Sequence, residues 1–184
     1  MSIAARLAFV GVAACASTPP PKPAPKPEAA PAAQAQSEFA PMLFTLEQLR
    51  AGNPQGRTIE FRFEAEGKPT TIQHWEFAKV DAQQATIHSV TRDEAGKILG
   101  DDTGSSTWEE LLKHGQFPAT TTKIEDGVSV TVPAGTFKTR LYTVTDDGAV
   151  RRFWFSVEYP GPPVQFTTEQ AGKTVLRAQM LRVK

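Results

Sequence analysis

The sequence predicts a mainly β fold: an antiparallel meander, or a curved half-barrel sheet, with one or two short helices packed on it. Three observations carry this. From Thr58 onward, apolar and polar residues alternate with a period of two. Turn residues, glycine above all, separate the alternating runs at short intervals. Helix start and stop signals occur at Thr45–Ala51 and at Ser106–His114.

Taken in order, Thr58–Glu66 (TIEFRFEAE) sets Ile59, Phe61, Phe63 and Ala65 against Glu60, Arg62, Glu64 and Glu66, the pattern of a half-buried strand. Gly67-Lys68-Pro69 turns the chain, and Thr71–Val80 follows with Trp75 and Phe77 on one face. Ala85–Thr91 makes a third strand, Asp93–Gly96 a loop, and Lys97–Leu99 the start of a fourth strand. Thr120–Glu125 and Val128–Val132 read as a hairpin about Asp126-Gly127, a pair suited to a type I′ turn. Pro133-Ala134-Gly135 breaks the run, after which Thr136–Thr145 and Val150–Val157 flank Asp146-Asp147-Gly148. Pro160–Pro163 interrupts, and Val164–Gln170 and Thr174–Val183 form a last hairpin about Ala171-Gly172. Short links between successive strands favour antiparallel pairing.

Thr45 and Gln48 form a capping-box pattern that opens the first helix, and Gly52 stops it. The second helix is read as capped by Ser106 with Glu109, placing Trp108, Leu111 and Leu112 on one inner face. Its acidic residues come early and Lys113 and His114 late, which suits the helix dipole, and Gly115 ends it. A sheet with one apolar face needs a cover, and this helix is the candidate. Three large apolar side chains do not fill such a face, so part of it is expected to stay open as a groove.

Twenty basic residues balance twenty acidic ones, so no global field favours nucleic acid. One cysteine in 184 residues excludes an intramolecular disulfide and any zinc site built from several thiolates. Arg151 and Arg152 beside Phe153, Trp154 and Phe155 could form a base-stacking platform, but these aromatics fit a core strand better and no nucleic-acid partner is expected. His74 and His88 fall on adjacent strands without a third ligand, and His114 ends a helix, so no metal or other cofactor is called for.

The cysteine explains itself by its neighbours. Arg6 precedes an apolar run, Leu7–Ala14, which fits a short secretory signal. Val12-Ala13-Ala14-Cys15 resembles the lipobox of bacterial lipoproteins. That resemblance implies cleavage before Cys15, acylation of its thiol and new amine, and a membrane partner held through several acyl chains, where one would bind only marginally. Ala16, in place of a retaining aspartate, implies the outer membrane, facing the periplasm. Ser17–Gln36 carries seven prolines between Pro19 and Pro31 and favours extended polyproline II over a packed core. At about 3.1 Å per residue it would span roughly 60 Å. The expected layout is therefore a signal at 1–14, a lipidated cysteine and linker at 15–36, and one β-rich domain at 37–184.

Two further resemblances bear on function. Asp102-Thr103-Gly104-Ser105-Ser106 is similar to the active-site loop of pepsin-like aspartic peptidases, where paired aspartates share a proton and activate water. No second Asp-Thr-Gly exists in the chain, so that reading needs a dimer, and Asp, Gly and Ser are also ordinary loop residues. Val132–Val164 resembles bacterial envelope domains in which a Pro-Ala-Gly-Thr-Phe turn precedes an aromatic strand, and through them the half-barrels of lipoprotein-carrier proteins. The favoured expectation is a lipid-anchored, non-catalytic binding or interaction module of the bacterial envelope. Its partner would be an apolar ligand or an envelope protein, and Trp75, Phe77, Trp108, Phe153 and Phe155 would line the groove. The alternative is a dimeric aspartic peptidase using the DTGSS loop.

Overall fold

A computed structural model describes residues 37–184 of the chain. Cys15, the signal and the linker lie outside the described residues. Nine strands form one open antiparallel sheet: β1 (Thr58–Ala65), β2 (Thr71–Val80), β3 (Gln84–Asp93), β4 (Ile98–Thr107), β5 (Thr122–Val132), β6 (Gly135–Asp146), β7 (Ala149–Ser156), β8 (Gln165–Gln170) and β9 (Lys173–Val183). Their spatial order is β4-β3-β2-β1-β9-β8-β7-β6-β5. The chain thus makes two meanders, one running outward from β1 and one inward from β5, zipped where β1 meets β9. The sheet does not close, because β4 and β5 stay unpaired at its edges. It curls strongly, however: the Ala134 N–H at the β5–β6 tip donates to the Met180 carbonyl of β9 at 3.1 Å.

The turns follow from residues that tolerate positive φ. Asp147-Gly148 (φ 47° and 75°) and Ala171-Gly172 (φ 48° and 76°) are both left-handed pairs, the geometry that matches the right-handed twist of flanking strands. Asp126-Gly127 is not a turn, contrary to the sequence reading. β5 runs straight through it as a bulge between Asp126 and Val128, with Gly127 at φ 72°. Arg140 fixes the bulge from β6, its Nε and Nη2 donating to the two Asp126 oxygens at 2.6 and 3.1 Å. That fork holds the Asp126 carboxyl below its ordinary pKa.

Two short helices, α1 (Leu46–Gly52) and α2 (Trp108–Lys113), accompany the sheet. The Thr45–Gln48 capping box forms as read. The second box lies one residue later than Ser106–Glu109: Thr107 Oγ1 accepts from Glu110 N at 3.2 Å, and Glu110 Oε2 accepts from Thr107 N at 2.8 Å. Ser106 is still in β4, paired with Ala85, so it cannot cap. The DTGSS segment is likewise strand and not loop, with Asp102 opposite Ser89 and Gly104 opposite Ile87.

On the apolar face, burial falls in the same direction along β1, β2, β3 and the chain from Val164 into β8, while Ala178 of β9 stays buried. Near the helices, Ile59, Phe61, Phe77, Ala85, Val164 and Met180 are 5% exposed or less. Two residues further along the same face, Phe63, Trp75, Ile87 and Phe166 are only half-buried. One more step brings polar side chains: Gln73, Ser89 and Thr168. The sheet therefore has a covered end and an open end.

Candidate functional site

Trp108 anchors the covered end. It is 1% exposed, its backbone N–H donates to Gln83 O at 3.1 Å, and its indole N–H donates to Asp81 O at 3.0 Å. The β2–β3 turn is itself held by the Asp81 carboxylate, which accepts from the N–H groups of Gln83 and Gln84 at 2.7 and 2.9 Å. Those bonds keep the carboxyl below its ordinary pKa. The helix is thus placed by a turn whose aspartate is ionised at neutral pH.

A segment with three prolines completes the enclosure. Between β7 and β8 the chain runs Glu158-Tyr159-Pro160-Gly161-Pro162-Pro163 and passes against the C-terminus of α1. Gly52 is needed there, since a Cβ at this position would sit 2.8 Å from the Pro160 ring. Arg57, 8% exposed, ties the two together through Nη1, donating to Asn53 Oδ1 at 2.9 Å, to Pro160 O at 2.7 Å and to Gly52 O. Asn53 Nδ2 donates to Leu49 O and Pro160 O at 2.6 and 3.2 Å. Burial pushes the Arg57 guanidinium below its ordinary pKa. Carbonyl oxygens at a helix C-terminus offset that desolvation in place of a carboxylate.

Between these helices, this segment and the sheet lies a cavity of about 260 Å³. Trp75 and Phe77 of β2, Trp108 of α2, and Phe153 and Phe155 of β7 all line it. Leu49, Ile87, Leu111, Phe166, Pro162 and Pro163 extend the apolar wall. The sequence reading left these out of the groove. Leu49 and Leu111 were visible as apolar helix positions, and Phe166 lies in an alternating strand, but the two prolines read only as an interruption. Asn53 and His114 are the polar side chains of the lining apart from the two indoles. Asn53 is already occupied on both its donor and its acceptor and the Trp108 indole is bonded to Asp81, so apart from His114 and the Trp75 indole the wall offers hydrocarbon or aromatic surface.

Aromatic rings run across the strands beneath and beside the cavity. Trp75 meets Phe61 at 5.2 Å between centroids, and Phe61 meets Phe63 at 6.2 Å. Phe63 meets Phe166 at 5.9 Å, Phe166 stacks on Phe153 at 6.0 Å, and Phe153 stacks on Phe117 at 4.8 Å. Such a row gives a wide apolar floor of rigid side chains.

The remaining candidates lie elsewhere. Asp101 and Asp102 are exposed on the edge strand β4, and Asp101 Oδ1 lies 2.8 Å from His88 Nε2. His74, on β2, pairs in register with Glu60 and Val90, while His114 sits at the end of α2. No group of three metal-ligating side chains comes together among the described residues. Arg152 pairs with Glu169 at 2.5 Å, and Trp154, between Phe153 and Phe155, does not line the cavity.

No family model matches the chain, and no curated protein matches it. Solved structures do. A candidate lipoprotein from Parabacteroides distasonis superposes with a TM-score of 0.52 at 10% identity, over 72% of this chain and 96% of its own. MucB matches with a TM-score of 0.45 at 15% identity, over 76% of this chain and 56% of its own, so the chain spans little more than half of that protein. At such identity the Parabacteroides structure shows a shared fold, and a fold does not carry an activity.

Proposed function

We propose that this chain is a lipid-anchored protein of the bacterial envelope whose β domain, residues 37–184, binds an apolar ligand without transforming it. The observation that carries the reading is the cavity: aromatic and aliphatic walls drawn from both meanders, both helices and the proline segment, with its asparagine already paired. Anchoring is supported by Val12-Ala13-Ala14-Cys15 and the proline-rich linker after it. The fold shared with a candidate lipoprotein is compatible with the same setting. In this reading acylated Cys15 holds the chain at the outer membrane, on its periplasmic side, and the linker holds the domain clear of the bilayer.

Titration of the full chain with the neutral probe N-phenyl-1-naphthylamine tests the binding half. Saturable binding with enhanced emission is expected, weakened about tenfold or more by Trp75→Ala, because a bound ring loses an aromatic partner. No saturable binding would refute it. Fractionation of cells carrying Cys15→Ala tests the anchor: the variant should leave the membrane fraction, and identical soluble fractions for both forms would refute lipidation.

A further inference from the structure

Beyond the main cavity, the same face of the sheet continues toward its open end and changes character. Phe155, Phe153 and Arg151 succeed one another along β7. Beside them Tyr142, Val144 and Asp146 do the same along β6. Both strands thus pass from aromatic to charged in two steps of about 7 Å each. A second hollow of about 340 Å³ lies at this place, lined by Phe117, Pro118, Val144, Asp146, Arg151 and Phe153, among others. Phe153 belongs to the lining of both hollows, which places the second beside the main cavity.

The charged pair at this rim is loosely made. Arg151 Nη1 and Asp146 Oδ2 are 3.6 Å apart, outside hydrogen-bond reach, and the side chains are 43% and 54% exposed. Neither makes a side-chain hydrogen bond among the described residues. Its neighbour Arg152, by contrast, donates to Glu169 at 2.5 Å. The rim therefore offers one cation with free donors and one anion with free acceptors, close together and summing to zero charge. A net anionic head would meet Asp146, and a net cationic head would meet Arg151. A head carrying both signs satisfies each.

We propose that Arg151 and Asp146 form a head-group subsite for a zwitterionic amphiphile, its phosphate or carboxylate on Arg151, its ammonium by Asp146, and its apolar part directed past the edge of Phe153 toward the main cavity. This deepens the apolar-ligand reading and rests on it. Two sources share that chemistry, a membrane phospholipid and a free lyso-amphiphile, and the test separates them.

The full chain is titrated with three single-chain amphiphiles of equal chain length, each below its micelle concentration: a lysophosphoethanolamine, a lysophosphatidylglycerol and a neutral monoacylglycerol. The zwitterion should bind tightest. Arg151→Gln should weaken the zwitterion and the anion about threefold to tenfold and leave the neutral ligand unchanged. Asp146→Asn should weaken the zwitterion yet strengthen the anion. Both effects should shrink in 1 M salt, where exposed charges are screened within about 3 Å. Extraction of diacyl phosphoethanolamine from vesicles would identify the membrane as source, and binding of the lyso form alone a free amphiphile. Equal affinity for all three heads, unmoved by either substitution, would overturn the subsite while leaving apolar binding intact. Binding of none would overturn apolar binding itself.

Discussion

The covered end of the sheet and its open end are made by the same strands, yet they behave as different materials. At the covered end, Ile59 and Phe61 of β1, Phe77 of β2 and Met180 of β9 are 5% exposed or less beneath the helices. Toward the open end the next inner positions, Phe63, Trp75 and Phe166, are half-buried, and Gln73 and Thr168 follow. A strand places every second side chain on one face whatever covers it, so the difference comes from the cover and not from the sheet. The helices have seven and six residues, too short to span the longer strands of ten to twelve. At 1.5 Å per residue against 3.3 Å, each covers only about a quarter of a twelve-residue strand. Stability is concentrated under the helices, and room for a guest opens at their edge, where Leu49 and Leu111 still form part of the wall.

The largest effect should come from removing the cover. Trp108→Ala takes away a fully buried indole and its bond to the β2–β3 turn, and should cost about 3–5 kcal/mol in chemical unfolding. Phe153→Ala, at the half-buried position, should cost only about 1–2 kcal/mol while weakening probe binding more than any covered-end change. Equal costs at the two sites would erase the distinction between the ends.

A smaller effect separates neighbouring residues at the helix start. Thr107→Ala removes the hydroxyl that caps α2 and should cost about 1 kcal/mol. Ser106→Ala, in the exposed edge strand, should be neutral within measurement. The reverse order would return the cap to Ser106.

The smallest effect concerns acid. Asp81, Glu110 and Asp126 are each held below their ordinary pKa, the first two chiefly by backbone N–H donors and the third by Arg140. A carboxylate depressed in the folded state contributes stability above its unfolded pKa and loses it as pH falls through the folded one. The melting temperature should therefore decline slightly below about pH 4. The decline should be shallower in Asp126→Asn. Because all three groups are exposed, a flat melting temperature down to pH 2 would mean that their bonds are fully screened.

The contrast between the ends also explains what the sequence could reveal. β1 to β3 and β6 to β9 alternate because one face is buried, and their limits were legible to within a few residues. β4 (ILGDDTGSST) has solvent on both faces for most of its length, so nothing in it alternates, and its Asp, Gly and Ser read as a loop. Asp126-Gly127 carried the right chemistry for a turn, but whether positive φ serves a turn or a bulge is decided by the partner strand, here through Arg140. The aromatic residues of the cavity were legible as inner positions. The proline segment and the Arg57 tie were not, because they join residues about a hundred apart in the chain.

The central claim, that hydrocarbon occupies the space between cover and sheet, is tested most directly by filling that space from within. Ile87→Phe enlarges a half-buried side chain that lines the cavity and touches none of its hydrogen bonds. Titration of this variant with N-phenyl-1-naphthylamine, beside its melting curve, should show binding lost or weakened at least about tenfold with the melting temperature unchanged or raised. Wild-type affinity in a variant that still folds would mean that the probe binds elsewhere, and would contradict the account.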